Sequence, residues 1–148
     1  MGKTKLALIQ MKMSSEKNKN ISNAISKIKL AKRKGAEIIC LPELFLTKYF
    51  CQSEKHSYFN FAEKIPGPTT EVFSLLAKKL KVILVLPIFE KRTLGIYHNT
   101  CVIIDEKGKI KGKYRKMHIP DDPQFYEKFY FTPGDLGFKT FKTSKGNL

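Results

Sequence analysis

The sequence predicts an α/β fold in which helices cover a sheet. Three observations carry this. An apolar run at 5–11 (KLALIQM), a stretch of helical period and a second apolar run at 36–41 (AEIICL) have the strand–helix–strand spacing of a crossover between parallel strands. The most apolar run, 81–89 (KVILVLPIF), follows a second helical pattern and reads as a central strand. Two further strand-like runs, 99–105 (NTCVIID) and 109–114 (KIKGKY), flank Glu106-Lys107-Gly108 as the arms of a hairpin.

Taken in order, the first helix opens at Ser14-Ser15-Glu16, residues suited to an N-terminal cap. Ile21, Ala24, Ile25, Ile28 and Ala31 form its apolar stripe, with Lys27, Lys29, Lys32 and Arg33 opposite, and Gly35 stands where a C-terminal cap belongs. Pro42-Glu43 ends the second strand. Pro66-Gly67-Pro68 marks a loop. Thr69 or Thr70 is expected to cap the second helix, with Val72, Phe73, Leu76 and Leu80 facing inward. Residues 138–143 (FKTFKT) alternate apolar and polar, so a strand is expected there. A turn at 144–147 follows, with Leu148 opening a further element, so the chain is expected to stop between two strands.

At 148 residues the expectation is one domain with a core of its own. Hydrophobic residues at 42% and charged residues at 28% match an ordinary globular protein. No apolar run reaches the length of a membrane span, and the N-terminus shows no signal peptide. Met1-Gly2 lacks the hydroxyl residue that N-myristoylation prefers at position six. A cytoplasmic location is therefore expected. Cys40, Cys51 and Cys101 have no zinc-like or CxxC spacing, and Cys40 and Cys101 read as small buried hydrophobes. The net charge of +15 raises a rival reading, a basic nucleic-acid-binding or association module. The lysines are dispersed, however, and the aromatic residues cluster around a glutamate, which would repel phosphate.

Residues 114–135 (YRKMHIPDDPQFYEKFYFTPGD) are the densest run of chemistry. Lys116 follows a strand, although one lysine among 28 basic residues also reads as a surface charge. Glu127 has Phe125, Tyr126, Phe129 and Tyr130 as neighbours and needs a partner there, structural or catalytic. Glu43 lies just past a buried strand, where ligands bind in open α/β sheets, yet it reads equally as a loop carboxylate. Its flanks Leu41, Pro42, Leu44 and Phe45 suggest partial desolvation, which suits a base near neutral pH. His56, His98 and His118 lack metal-ligand spacing, and neither a phosphate-binding glycine loop nor a GxSxG elbow occurs.

The segments LPELF (41–45), YRKMHIP (114–120) and YEKFYFTPGD (126–135), in this order, resemble the nitrilase superfamily of carbon–nitrogen hydrolases. KYFCQ (48–52), 65–82 and 118–138 resemble the branch acting on N-carbamoylputrescine, with β-ureidopropionases and D-carbamoylases as the nearer alternatives. The resemblance implies a nitrilase-like α-β-β-α sandwich, of which residues 1–148 form the N-terminal portion of a single domain, ending before the nucleophile motif. It implies that Glu43 is the catalytic base, that Lys116 stabilises the oxyanion and that Glu127 supports Lys116. Tyr49 matches a substrate-pocket tyrosine, while the nucleophilic cysteine matches none of Cys40, Cys51 and Cys101. It implies no metal or organic cofactor and a small carbamoyl amine as substrate. A homo-oligomer is expected, without membrane or nucleic acid as partner, and the isolated chain is expected to be inactive. Positions 46–48 (LTK) and the second aspartate of HIPDD depart from the branch pattern. Asp121 and Asp122 are candidates to receive a cationic substrate against the basic field of the chain.

Overall fold

A computed structural model describes residues 3–148. Met1-Gly2, and with them the myristoylation reading, lie outside the described residues. A five-stranded mixed sheet runs in the order β1-β2-β3-β4-β5. Its strands are β1 (Leu6–Leu8), β2 (Ile38–Cys40), β3 (Ile83–Thr93), β4 (Ile96–Ile104) and β5 (Ile110–Arg115). The first three are parallel, joined by crossovers through α1 (Lys17–Arg33) and α2 (Pro68–Leu80), and β3-β4-β5 form an antiparallel meander.

The two helices bury their apolar stripes on one face of the sheet. Ala24, Ile28 and Ala31 of α1 and Phe73, Leu76 and Ala77 of α2 pack with Ile39, Leu84, Leu86, Ile88, Val102 and Ile104. Val72, expected inside, is instead 41% exposed, because Phe73, Leu76 and Ala77 set the phase of α2 and turn its neighbour outward. The cap of α2 also differs from expectation. It is Gly67, whose backbone N–H donates to Thr70 Oγ1 at 2.8 Å, and both threonines lie buried inside the first turn. Before α1, Glu16 takes the cap position, and Ser14 instead exchanges hydrogen bonds with Asn20. Asn20 Nδ2 also donates to the Leu46 carbonyl at 2.9 Å, tying α1 to the loop that follows β2.

The opposite sheet face carries Ile38, Ile83 and Ile103, packed by Val85, Cys101, Phe141 and Leu148. Two short strands, β6 (Asp121–Asp122) and β7 (Phe125–Tyr126), pair within the long loop after β5. The strand expected at 138–143 does not form. Only Lys142–Thr143 (β8) is extended, and it pairs with Gly146–Asn147 (β9) in a small hairpin closed by Phe141–Leu148 backbone hydrogen bonds of 2.8 and 3.1 Å. The alternation misled because its two phenylalanines have unrelated environments. Phe138 is 79% exposed beside Tyr114, while Phe141 lies over Gly112, where a Cβ would fall 2.2 Å from its ring. No helix among the described residues is long and apolar enough to cross a membrane.

Candidate active site

The carboxyl ends of β2 and β5 and the loop after β7 converge on one cluster. Beyond β2, Pro42 stops the ladder and Leu44 adopts a left-handed conformation (φ 49°), with the Thr47 N–H closing on its carbonyl at 3.1 Å. A buried leucine in this conformation stores strain of about 1–2 kcal/mol. The turn directs Glu43 toward the neighbouring strands. The Glu43 side chain remains 50% exposed, more open than its apolar sequence neighbours suggest.

Lys116 leaves the end of β5 with its main chain held on both sides. Its N–H donates to the Asn99 carbonyl at 2.8 Å, and its own carbonyl accepts from the Gly134 N–H at 2.9 Å. Gly134 is required by that approach, since a Cβ there would lie 2.0 Å from the Arg115 carbonyl oxygen. The Lys116 ammonium donates to Glu127 Oε2 at 2.8 Å and to Glu43 Oε1 at 3.3 Å. Burial lowers the affinity of Lys116 for its proton, but the Glu127 hydrogen bond and the Glu43 charge outweigh it, so its pKa rises. Glu127, with 3% of its side chain exposed, also accepts from the Tyr49 hydroxyl on Oε1 at 2.9 Å. Burial and then the Glu127 carboxylate push the Tyr49 phenol far up, so it acts as a donor.

An aromatic cluster lies beside Glu127, but of the neighbours expected from the sequence only Tyr130 is buried in it; Phe129 is partly buried against it and Phe125 is 52% exposed. Phe50, Phe89, Ile119, Tyr130 and Phe131 are buried together, and Phe50 packs edge-on against Tyr130 at 4.9 Å. Cys51 is buried in the same cluster, and burial, followed by the Glu127 and Glu43 charges, pushes its thiol up to about 12. It therefore stays protonated and is a poor nucleophile. Burial likewise pushes Cys101 up to about 12 and raises Cys40.

Three of the anticipated residues, Glu43, Lys116 and Glu127, thus meet, and Tyr49 joins them through Glu127. Asp121 and Asp122 are exposed on β6, and neither makes an ion pair among the described residues. Two features were not anticipated. Asn99 of β4 donates Nδ2–H to Glu43 Oε1 at 2.5 Å. Behind Lys116, the Arg115 guanidinium forms a bidentate pair with buried Glu90 at 2.8 Å on both contacts and reaches Asp135 at 2.7 Å. Lys113 and Thr100 also bind Glu90, and Arg92 binds Asp135. The one sequence signal for this network was the position of Arg115 beside Lys116. No group of three or more metal-ligating side chains able to hold an ion occurs among the described residues.

A mixed sheet with helices on one face, ending in a lysine between two carboxylates, defines an α/β protein with one polar cluster at the carboxyl ends of its strands. The chain belongs to the carbon-nitrogen hydrolase family, whose model matches residues 5–148. It is 42% identical over 147 residues to an N-carbamoylputrescine amidase of Oryza sativa subsp. japonica, covering 99% of this chain and 48% of that protein. It is 38% identical over 144 residues to a citrullinase of Francisella tularensis, covering 97% of this chain and 50% of that protein. A crystal structure of a carbon-nitrogen hydrolase from Helicobacter pylori G27 superimposes with a TM-score of 0.89 at 43% identity, over 95% of this chain and 48% of that one. The nitrilase-like α/β fold is thereby established for the part present. The chain spans about half the length of the curated relatives it matches.

Proposed function

We propose that residues 1–148 are the N-terminal portion of one carbon–nitrogen hydrolase domain that cleaves the ureido group of N-carbamoylputrescine to putrescine, ammonia and carbon dioxide. The observation that carries this reading is the Lys116 ammonium, held at 2.8 Å from Glu127 and 3.3 Å from Glu43 at the ends of the strands. A fixed cation beside a half-exposed carboxylate is what covalent amide hydrolysis needs, a base next to an oxyanion donor. The nucleophile is a cysteine in the portion that the longer relatives possess beyond the matched half.

Glu43 takes the thiol proton as the sulfur bonds to the carbamoyl carbon. The carbonyl becomes an oxyanion facing Lys116. The bond to the departing nitrogen then breaks as that nitrogen receives the proton from Glu43, and ammonia leaves. Water attacks the enzyme-bound carbamoyl carbon and gives its proton to Glu43. The sulfur–carbon bond breaks as the sulfur takes the proton back from Glu43, which restores the thiol and the carboxylate, and the released carbamic acid decomposes to carbon dioxide and the amine. Glu127, anchored by Tyr49, holds Lys116 in place throughout.

The 38% identity to a citrullinase supports a second reading, in which the ureido group is carried on an amino acid. Ammonia release by the full-length protein from N-carbamoylputrescine, citrulline and 3-ureidopropionate separates the two. N-carbamoylputrescine is expected to react fastest. Faster turnover of either ureido acid would overturn the substrate, and no ammonia from any of the three would overturn the chemistry. The 148-residue chain alone is expected to release none.

A further inference from the structure

Within the cluster, Glu43 is the least protected member. Its side chain is 50% exposed, against 3% for Glu127, and Lys116 reaches it only at 3.3 Å. Its other side-chain partner among the described residues is Asn99, which is 6% exposed and donates Nδ2–H to Oε1 at 2.5 Å. Asn99 belongs to β4, flanked on both sides by strands. Its carbonyl accepts the Lys116 N–H at 2.8 Å. One residue therefore refers both the Glu43 carboxylate and the Lys116 main chain to the same point of the sheet.

Both donors that reach Glu43 address the same oxygen, Oε1. Oε2 is left without a hydrogen-bond partner among the described side chains. We propose that Asn99 is a positioning residue that locks Glu43 through Oε1, keeps the carboxylate against Lys116 and reserves Oε2 for proton transfer. A neutral amide suits this task. It donates to the carboxylate without a positive charge that would compete with Lys116 for Oε1, whereas a lysine or arginine in its place would do so. The inference rests on reading Glu43 as the base of the reaction, but its geometry can be tested without turnover.

The groups facing the Lys116 ammonium are Glu43 and Glu127, so its titration reports where Glu43 stands. The rate of amine acylation at Lys116, followed by peptide mass spectrometry across pH in the 148-residue chain, measures that titration. Glu43→Gln is expected to move the curve to lower pH by removing one carboxylate. Asn99→Ala is expected to move it in the same direction, because Glu43 then swings into solvent. In the Glu43→Gln background, Asn99→Ala should change nothing further. Asn99→Ser, one atom shorter at the donor and gentler on the strand, should reproduce the shift if the alanine variant does not fold. An unmoved Lys116 curve in Asn99→Ser, or an equal shift with and without Glu43, would overturn the proposal. The second result would mean that the Asn99 side chain reaches Lys116 by a route other than Glu43. The backbone contact to Lys116 survives every side-chain replacement, so the ladder itself is a constant of the experiment. Loss of ureido hydrolysis in the full-length protein would bear on the proposed reaction and leave this result intact.

Discussion

Tyr49 and Lys116 bind opposite oxygens of one buried carboxylate, the hydroxyl on Glu127 Oε1 at 2.9 Å and the ammonium on Oε2 at 2.8 Å. Residues 78 and 11 positions from Glu127 are thus joined through a side chain that water hardly reaches. The arrangement answers the cost of burying a charge by giving each oxygen a donor. Tyr49→Phe keeps the ring and removes the donor. It is expected to lower stability by about 1.5 kcal/mol, the low end for a hydrogen bond to a charged group, since Tyr49 is only partly buried. Urea unfolding of the chain measures it, and an unchanged midpoint would show that water replaces the hydroxyl at no cost.

Glu90 carries the heaviest electrostatic duty outside the cluster. Burial raises the affinity of its carboxylate for a proton, but Arg115, Lys113 and Thr100 outweigh it and hold the pKa at about 2. Glu90→Ala leaves the Arg115 guanidinium buried without its main partner, and a loss of roughly 3–5 kcal/mol is expected. The sign of the pH dependence follows from linkage. The folded pKa lies below the usual 4.5, so the unfolded chain binds more protons between these values. The contribution of Glu90 is complete above pH 4.5 and is lost as pH falls toward about 2. Denaturant midpoints across that window should fall steeply in the parent chain and more shallowly in Glu90→Gln. Parallel slopes would assign the acid sensitivity to other groups.

The same residue shows where sequence reading stops. The run 81–89 reads as a strand because it is apolar, and that reading ends where the apolar residues end, yet β3 continues to Thr93. The continuation is the β3–β4 ladder, which pairs Glu90 with His98 and Lys91 with Tyr97 and buries Glu90 against Arg115, 25 positions away, and no local pattern records that pairing. Asn99 escaped notice for a related reason, since a neutral amide at the head of an apolar strand has no chemical signature until Glu43 is placed opposite it. Glu43, Lys116 and Glu127 were legible because each follows a strand or interrupts an aromatic run, and the family resemblance linked them. The βαβ order and both helix stripes were legible because burial imposes periods of 2 and 3.6 on the residues themselves. Val72 and the run 138–143 misled because a period identifies a face only when something packs against it.

Asp121 and Asp122 test how a chain of net charge +15 would receive a substrate bearing an ammonium. Both are exposed, on a short β6–β7 pair inside the loop that runs from Lys116 to Glu127. Exposed charge pairs contribute about 0.2–1 kcal/mol. Replacing both with Asn in the full-length protein should therefore raise KM for N-carbamoylputrescine by about 1.5–5-fold for each carboxylate that pairs with the substrate ammonium, and by less at high salt. The KM of an uncharged alkylurea should not change. An unaltered KM for the cationic substrate would remove these two residues from the pocket.

Gly134 couples the charge network to the Lys116 cluster. Its N–H holds the Lys116 carbonyl at 2.9 Å, and a Cβ on it would stand 2.0 Å from the Arg115 carbonyl oxygen, which belongs to β5 and cannot withdraw. Gly134→Ala must therefore displace the loop. Overpacking of this kind costs about 1–3 kcal/mol, and the loop carries Asp135 away with it. In the parent chain Arg115 above all, with Arg92, holds the Asp135 carboxyl at about 2. In the variant that carboxyl should titrate in the ordinary aspartate range, followed by carbon NMR of the labelled side chain. Arg115→Lys shortens the reach to Asp135 without moving the glycine, so it should raise the Asp135 titration while leaving the Gly134 amide protected from hydrogen exchange. If Gly134→Ala instead leaves Asp135 titrating at about 2, the loop has absorbed the methyl group elsewhere. The close approach of Gly134 to Arg115 would then not be what seats Lys116.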